Sequence, residues 1–189
     1  DYMFVHDSVF DAFVKQFKKS LEKEFYENGE VNSSSYAQIV NKRHFDRLSG
    51  ILEDVVERGG EILHGGSAQS EVISIEPTLV TGLPNESRAM NEEIFGPILP
   101  LVRYNSLDEV VEHITSKPKP LALYHFTKSK KKTQQIINEI PAGGVCVNDV
   151  VLHFSHVNLP FGGVNNSGMG KSHGYYGFVD FSNEKPVLK

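Results

Sequence analysis

Two short stretches carry residue types that could do chemistry. Asn91-Glu92-Glu93-Ile94-Phe95-Gly96-Pro97 sets two carboxylates beside an aromatic ring. Proline restricts the residue before it, so the segment reads as a stiff corner. A carboxylate held there can accept hydrogen bonds from a sugar diol, and the Phe95 ring can lie against a flat heterocycle. The plain alternative is an exposed turn. The second stretch runs from Leu159 to Gly174, where five of sixteen residues are glycine. Backbone of that composition can turn repeatedly and pack close to a ligand or another segment.

The other motifs are weaker. Gly170-Lys171-Ser172 resembles the end of a phosphate-binding P-loop. However, Asn165 stands where that motif needs glycine, and His173-Gly-Tyr-Tyr-Gly177 reads as a poor helix. His153 and His156 have a spacing that could share a metal, but no carboxylate or cysteine completes a ligand set, so a structural role is favoured. Lys128, Lys130, Lys131 and Lys132 read as a solvated helical face. Cys146, between Val145 and Val147, reads as a structural thiol in a strand, because an activated thiolate needs an electropositive, partly exposed site.

The elements that must position these stretches follow from periodicity. An opening strand at 1–5 precedes a helix from Ser8, with Asp11 at capping-box spacing and Phe10, Phe13, Val14, Phe17, Leu21 and Phe25 on one face. A polar link at 32–35 leads to a second helix from about Lys42 to Arg58, capped by Asn41 and ended by Gly59. Strands are expected at 61–64, 72–75, 77–81, 98–103, 121–126 and 144–148. Helices are expected from Ser106 to the Pro118 and Pro120 stop and over 129–139. The segments 178–182 and 186–188 read as extended. Strands alternating with helices imply an α/β fold, a largely parallel sheet with helices on both faces. Ligands then sit at the carboxyl ends of the strands.

The chain has 189 residues, 39% hydrophobic and 23% charged, which suits a single folded domain. A net charge of -5 gives no overall attraction to nucleic acid. One cysteine excludes an internal disulfide framework and points to the cytoplasm, and no apolar run reaches the roughly 20 residues that span a bilayer. The sequence opens in mid-strand without methionine, so it reads as a piece of a longer protein.

Glu92-Glu-Ile-Phe-Gly-Pro-Ile98 and Pro160-Phe-Gly-Gly-Val-Asn-Asn-Ser-Gly-Met-Gly170 together resemble the two C-terminal signatures of the aldehyde dehydrogenase superfamily. Met169, His173-Gly174 and Phe181-Ser182 look most like its class 3 branch. Ile39-Val-Asn-Lys-Arg-His-Phe45 and Pro120-Leu-Ala-Leu-Tyr124 extend the likeness along the chain.

The resemblance implies a catalytic domain of that family, in truncated form. It implies NAD or NADP as cofactor and oxidation of an aldehyde to a carboxylic acid through a cysteine thiohemiacetal. Glu93 would bind the nicotinamide ribose and Phe95 would pack near the nicotinamide. Phe161, Gly162 and Gly163 would line the aldehyde tunnel. The nucleophile, in a Gly-Gln-x-Cys loop, and the general base would lie upstream of Asp1 with the dinucleotide-binding domain. No catalytic residue falls in this chain, Cys146 does not match the nucleophile, and the chain alone would be inactive. Residues 1–180 would be a partial catalytic domain, and 181–189 would be a strand of the oligomerisation sheet in a homodimer. Asn165 replaces a usual glycine, which a left-handed backbone would tolerate. Ser172 replaces an expected tyrosine. The rival reading is a non-catalytic binding or assembly module that keeps the fold without the nucleophile.

Overall fold

The computed structural model describes residues 2–189, which divide into two compact units, one ending at Asn105 and the other comprising Ser106–Lys189. The first unit runs β1 (Met3–His6), α1 (Phe10–Phe25), β2 (Tyr26–Glu27), β3 (Glu30–Val31), α2 (Lys42–Glu57), β4 (Glu61–His64), β5 (Ala68–Gln69), β6 (Ser74–Ile75), β7 (Thr78–Thr81), α3 (Arg88–Asn91) and β8 (Ile98–Tyr104). The second runs α4 (Leu107–Thr115), β9 (Ala122–His125), α5 (Lys130–Glu139), β10 (Gly144–Val147), α6 (Leu152–Ser155) and α7 (Gly174–Asp180).

The first unit is built on a four-stranded sheet in the order β1-β8-β7-β4. β1 and β7 both run parallel to β8, whereas β4 is antiparallel to β7. The chain between β4 and β7 carries only the small β5-β6 hairpin, and without a crossover helix it returns in the opposite sense. Neighbouring residues of a strand face opposite sides, and β7 shows the consequence. Val80 joins a core with Phe45, Leu48, Ile51, Leu52 and Val55 of α2, while Leu79 joins one with Phe10 and Val14 of α1. A helix therefore covers each face, as expected.

Asn41 caps α2 by accepting from the His44 N–H at 3.0 Å. The cap of the first helix differs from expectation. Ser8 lies in a 3-10 turn over Asp7–Val9, and its N–H donates to His6 Nδ1 at 3.2 Å; no side chain caps α1. Residues 26–31 form the β2-β3 hairpin, and the strand expected at 72–75 shortens to β6.

In the second unit β9 and β10 pair in parallel, with α5 as their crossover. Two expectations fail at its C-terminal end. Residues 174–180, read as a poor helix running into an extended segment, form α7. Of the glycines that argued against a helix, Gly174 serves packing instead. Gly174 has φ +50°, and a Cβ there would stand 1.9 Å from the Val157 carbonyl oxygen. Residues 183–189 carry no regular structure. No helix among the described residues is long and apolar enough to cross a membrane.

Asp54 of α2 ties the end of that helix to the start of α3. Its carboxylate accepts from Arg58 Nε at 2.7 Å and from the Arg88 backbone N–H at 2.9 Å. Partial burial works against the ionised form, but these hydrogen bonds outweigh it and hold the carboxyl below its ordinary value. A depressed pKa contributes stability that is present above the unfolded value and lost as pH falls through the folded one. Asp54→Asn is therefore expected to lower stability near neutral pH by about 1 kcal/mol. The gap to wild type should close below about pH 4. Urea unfolding across that range tests it, and a gap that persists in acid would refute the charge-based account.

Candidate functional site

The two carboxylates of the 91–97 corner have separate fates. Glu92 faces inward to two arginines. It accepts from Arg88 Nε at 2.7 Å and Arg88 Nη2 at 3.3 Å, and Arg47 Nη1 lies 3.8 Å away. The hydrogen bond from Arg88 and the nearby positive charges hold its pKa below the usual carboxylate range. Glu93 is exposed, and its carboxylate enters no hydrogen bond or ion pair among the described residues. Two residues on, the Phe95 ring stands 77% exposed at φ 44°, a left-handed conformation that costs a bulky residue of order 1–3 kcal/mol.

Helix α2 holds that strained corner. Arg47 donates from Nη1 to the Glu93 carbonyl at 3.2 Å and from Nη2 to the Ile94 carbonyl at 2.5 Å. Ile94 is buried, and Gly96 lies so close to α2 that a Cβ would meet both Leu48 methyls at 2.6 Å. The hydrogen-bond capacity of Glu92 and Arg47 is thus turned inward, while Glu93 and Phe95 point a free acceptor and a bare ring outward. An apolar groove of about 530 Å³ runs along this side, lined in part by Phe17, Leu21, Phe25, Tyr36, Phe95 and Pro97. Sequence reasoning singled out neither Arg47 nor Arg88, and the short helix α3 that carries Arg88 was not expected.

In the second unit the glycine-rich loop folds onto the strand pair. Asn148, just after β10, fixes the strand ends: its Oδ1 accepts from the Thr127 N–H at 2.8 Å, and its Nδ2 donates to the Thr127 carbonyl at 3.0 Å. Phe161 and Ser172 exchange backbone hydrogen bonds of 3.0 and 2.8 Å that close the neck of the loop. The Phe161 ring stacks on His173 with centroids 5.5 Å apart and planes 18° apart, and meets Phe154 edge-on at 4.9 Å. Buried His153 packs against the same ring at 5.7 Å.

Gly162 and Gly163 are where backbone meets backbone. A Cβ at Gly162 would stand 2.2 Å from the Gly170 carbonyl oxygen, and one at Gly163 would stand 2.1 Å from that of Ser167. Asn165 takes φ 56°, the left-handed conformation its replacement of glycine requires. Ser172 Oγ donates to the Phe161 carbonyl at 3.3 Å. Lys171 does not face an anion cradle. Its ammonium is bound by the Gly143 and Gly162 carbonyls, and no long helix follows the Gly-Lys-Ser run. Cys146 is a half-buried free thiol in β10. Glu93 and Phe95 thus share one corner of the first unit, while Phe161, Gly162 and Gly163 share one loop of the second.

An α/β domain of this layout has close counterparts among solved structures. The substrate-bound state of Staphylococcus aureus AldH superposes with a TM-score of 0.89 at 39% identity, covering all of this chain and 42% of that one. Residues 1–187 match the model of the aldehyde dehydrogenase family, and the chain belongs to that family. The bovine (Bos taurus) dimeric NADP-preferring aldehyde dehydrogenase is 42% identical over 188 residues, covering all of this chain and 76% of that protein. The aldehyde dehydrogenase family 3 member H1 of Arabidopsis thaliana is also 42% identical, with 38% of its length covered. The class 3 likeness seen in the motifs therefore holds. The chain spans about two-fifths of the length of most such relatives.

Proposed function

We propose that this chain is the C-terminal part of the catalytic domain of an NAD(P)-dependent aldehyde dehydrogenase that oxidises aldehydes to carboxylic acids. The observation that carries the reading is the Glu93 and Phe95 corner. Its exposed, uncommitted carboxylate suits the two hydroxyls of a ribose, and its bare ring suits the flat face of a nicotinamide. A relative described as NADP-preferring supports the choice of cofactor class. The nicotinamide, when bound, supplies the hydride acceptor. This chain's contribution is positional: Glu93 orients the ribose, Phe95 limits the nicotinamide's approach, and Arg47 keeps both from moving.

Phe161, Gly162 and Gly163 form a wall of the aldehyde tunnel. The glycines let the loop fold tightly enough to place the ring. The nucleophile and general base come from the rest of the protein. Residues 1–180 act as part of the catalytic domain. Residues 181–189, with Phe181 93% and Leu188 100% exposed, supply a strand to an oligomerisation sheet in a homodimer. The protein works in the cytoplasm, a compartment that suits its lone free thiol.

The test is direct. The isolated chain, given an aldehyde and NAD or NADP, is expected to form no reduced cofactor, whereas the full-length protein forms it with the acid as product. Turnover by the isolated chain at ordinary enzyme rates would overturn the assignment.

A further inference from the structure

We propose that Lys171 is a positioning residue for the aldehyde: its ammonium ties the tunnel loop to the start of β10 and so fixes the Phe161 wall. The inference rests on the tunnel reading given above. Lys171 is half-buried, and its Nζ donates to the Gly143 carbonyl at 3.1 Å and to the Gly162 carbonyl at 2.5 Å. These carbonyls belong to two segments in direct backbone contact, since a Cβ on Gly143 would stand 2.5 Å from the Gly162 oxygen. Two carbonyl dipoles that converge in a partly buried space repel each other unless a donor lies between them. An ammonium with three donors satisfies both.

The two anchored segments differ in rigidity. Gly143 is tied to the lead-in of β9, with its N–H donating to the Pro120 carbonyl at 2.9 Å and the Gly144 N–H to that of Leu121 at 2.9 Å. Gly162 directly follows Phe161, whose backbone bonds only to Ser172 on the other side of the same loop neck. That ladder closes the loop on itself but does not fasten it to the sheet. Lys171, next to Ser172, is the one charged side chain among the described residues that joins the neck to the strand pair. Losing the ammonium leaves two half-buried carbonyls facing each other. The neck then moves away, taking the Phe161 ring off the stack it makes with His173.

The experiment compares Lys171→Met and Lys171→Arg with wild type in the full-length enzyme. Lys171→Met is expected to raise the aldehyde KM about tenfold while kcat and the cofactor KM stay within about twofold, and Lys171→Arg should recover most of that loss. Amide hydrogen exchange at residues 161–163 should quicken in the Met variant alone. An unchanged aldehyde KM with unchanged exchange overturns the proposal. So does a general loss, in which both KM values, kcat and exchange throughout the second unit change together. If wild-type enzyme oxidises no aldehyde, the function assignment fails, and the exchange result still decides whether Lys171 holds the loop.

Discussion

Glu93→Gln in the full-length enzyme is expected to lower kcat by roughly ten- to a hundredfold, with hydride transfer becoming the slow step. Its carboxylate is the one charged group of the 91–97 corner that the fold leaves uncommitted, because Arg88 and Arg47 occupy Glu92. The amide keeps one acceptor but places a donor where the carboxylate met a second hydroxyl, so the ribose loses its two-point hold. The cofactor still binds through the rest of the protein, and the nicotinamide samples more orientations. A primary deuterium isotope effect on kcat from labelled aldehyde reads this directly. It should rise in the variant, and a wild-type kcat with no change in the isotope effect would remove Glu93 from the site. Glu92→Gln serves as the contrast, because its loss loosens the Arg88 contact without touching the cofactor. It should cost stability more than rate.

Gly163→Ala is expected to be strongly destabilising. The new carbon would meet Ser167 O at 2.1 Å, Ser167 C at 2.2 Å and Gly168 N at 2.4 Å. All three are backbone atoms, so no rotamer change relieves the clash. The turn at Val164 to Ser167, held by Ser167 Oγ accepting from the Val164 N–H at 2.8 Å, must open. The cost is roughly 3 kcal/mol, the upper end for overpacking. Thermal unfolding of the full-length protein should show a melting temperature lowered by several degrees, and limited proteolysis should cut first within 161–172. A melting point within a degree of wild type would mean that the loop has room the contacts do not show. Gly82→Ala is the control, since a Cβ there meets nothing within 4 Å and only its φ of +70° is strained.

Local patterns announced the elements that a few adjacent residues can specify. The Phe10 to Phe25 stripe, the Asn41 cap and the Ser106 cap each act within one or two turns of chain, and α1, α2 and α4 lie where those signals put them. The family signatures were legible for a related reason. Both lie in contiguous loops whose glycine and proline pattern is set by local backbone geometry, as the positive φ of Asn165 and Gly168 illustrates. The sequence by itself thus determined the α/β class, the family, and the segments to which the candidate residues belong.

The tertiary structure decided what those residues are free to do. Glu92 and Glu93 are identical in type and adjacent in sequence, and only the approach of Arg47 and Arg88 commits one to structure and leaves the other exposed. Gly174 and Gly177 argued against a helix by propensity, at about 1 kcal/mol per glycine, yet α7 forms there with Gly174 packed against the Val157 carbonyl. Lys171 looked like part of a phosphate motif until the carbonyls of Gly143 and Gly162 came together around it. Apart from the Arg88–Glu92 pair, which is only four residues apart, the physical reason is common to all three. A charge or a glycine acquires its role from atoms brought close by folding across many residues of chain, and no local pattern encodes that proximity.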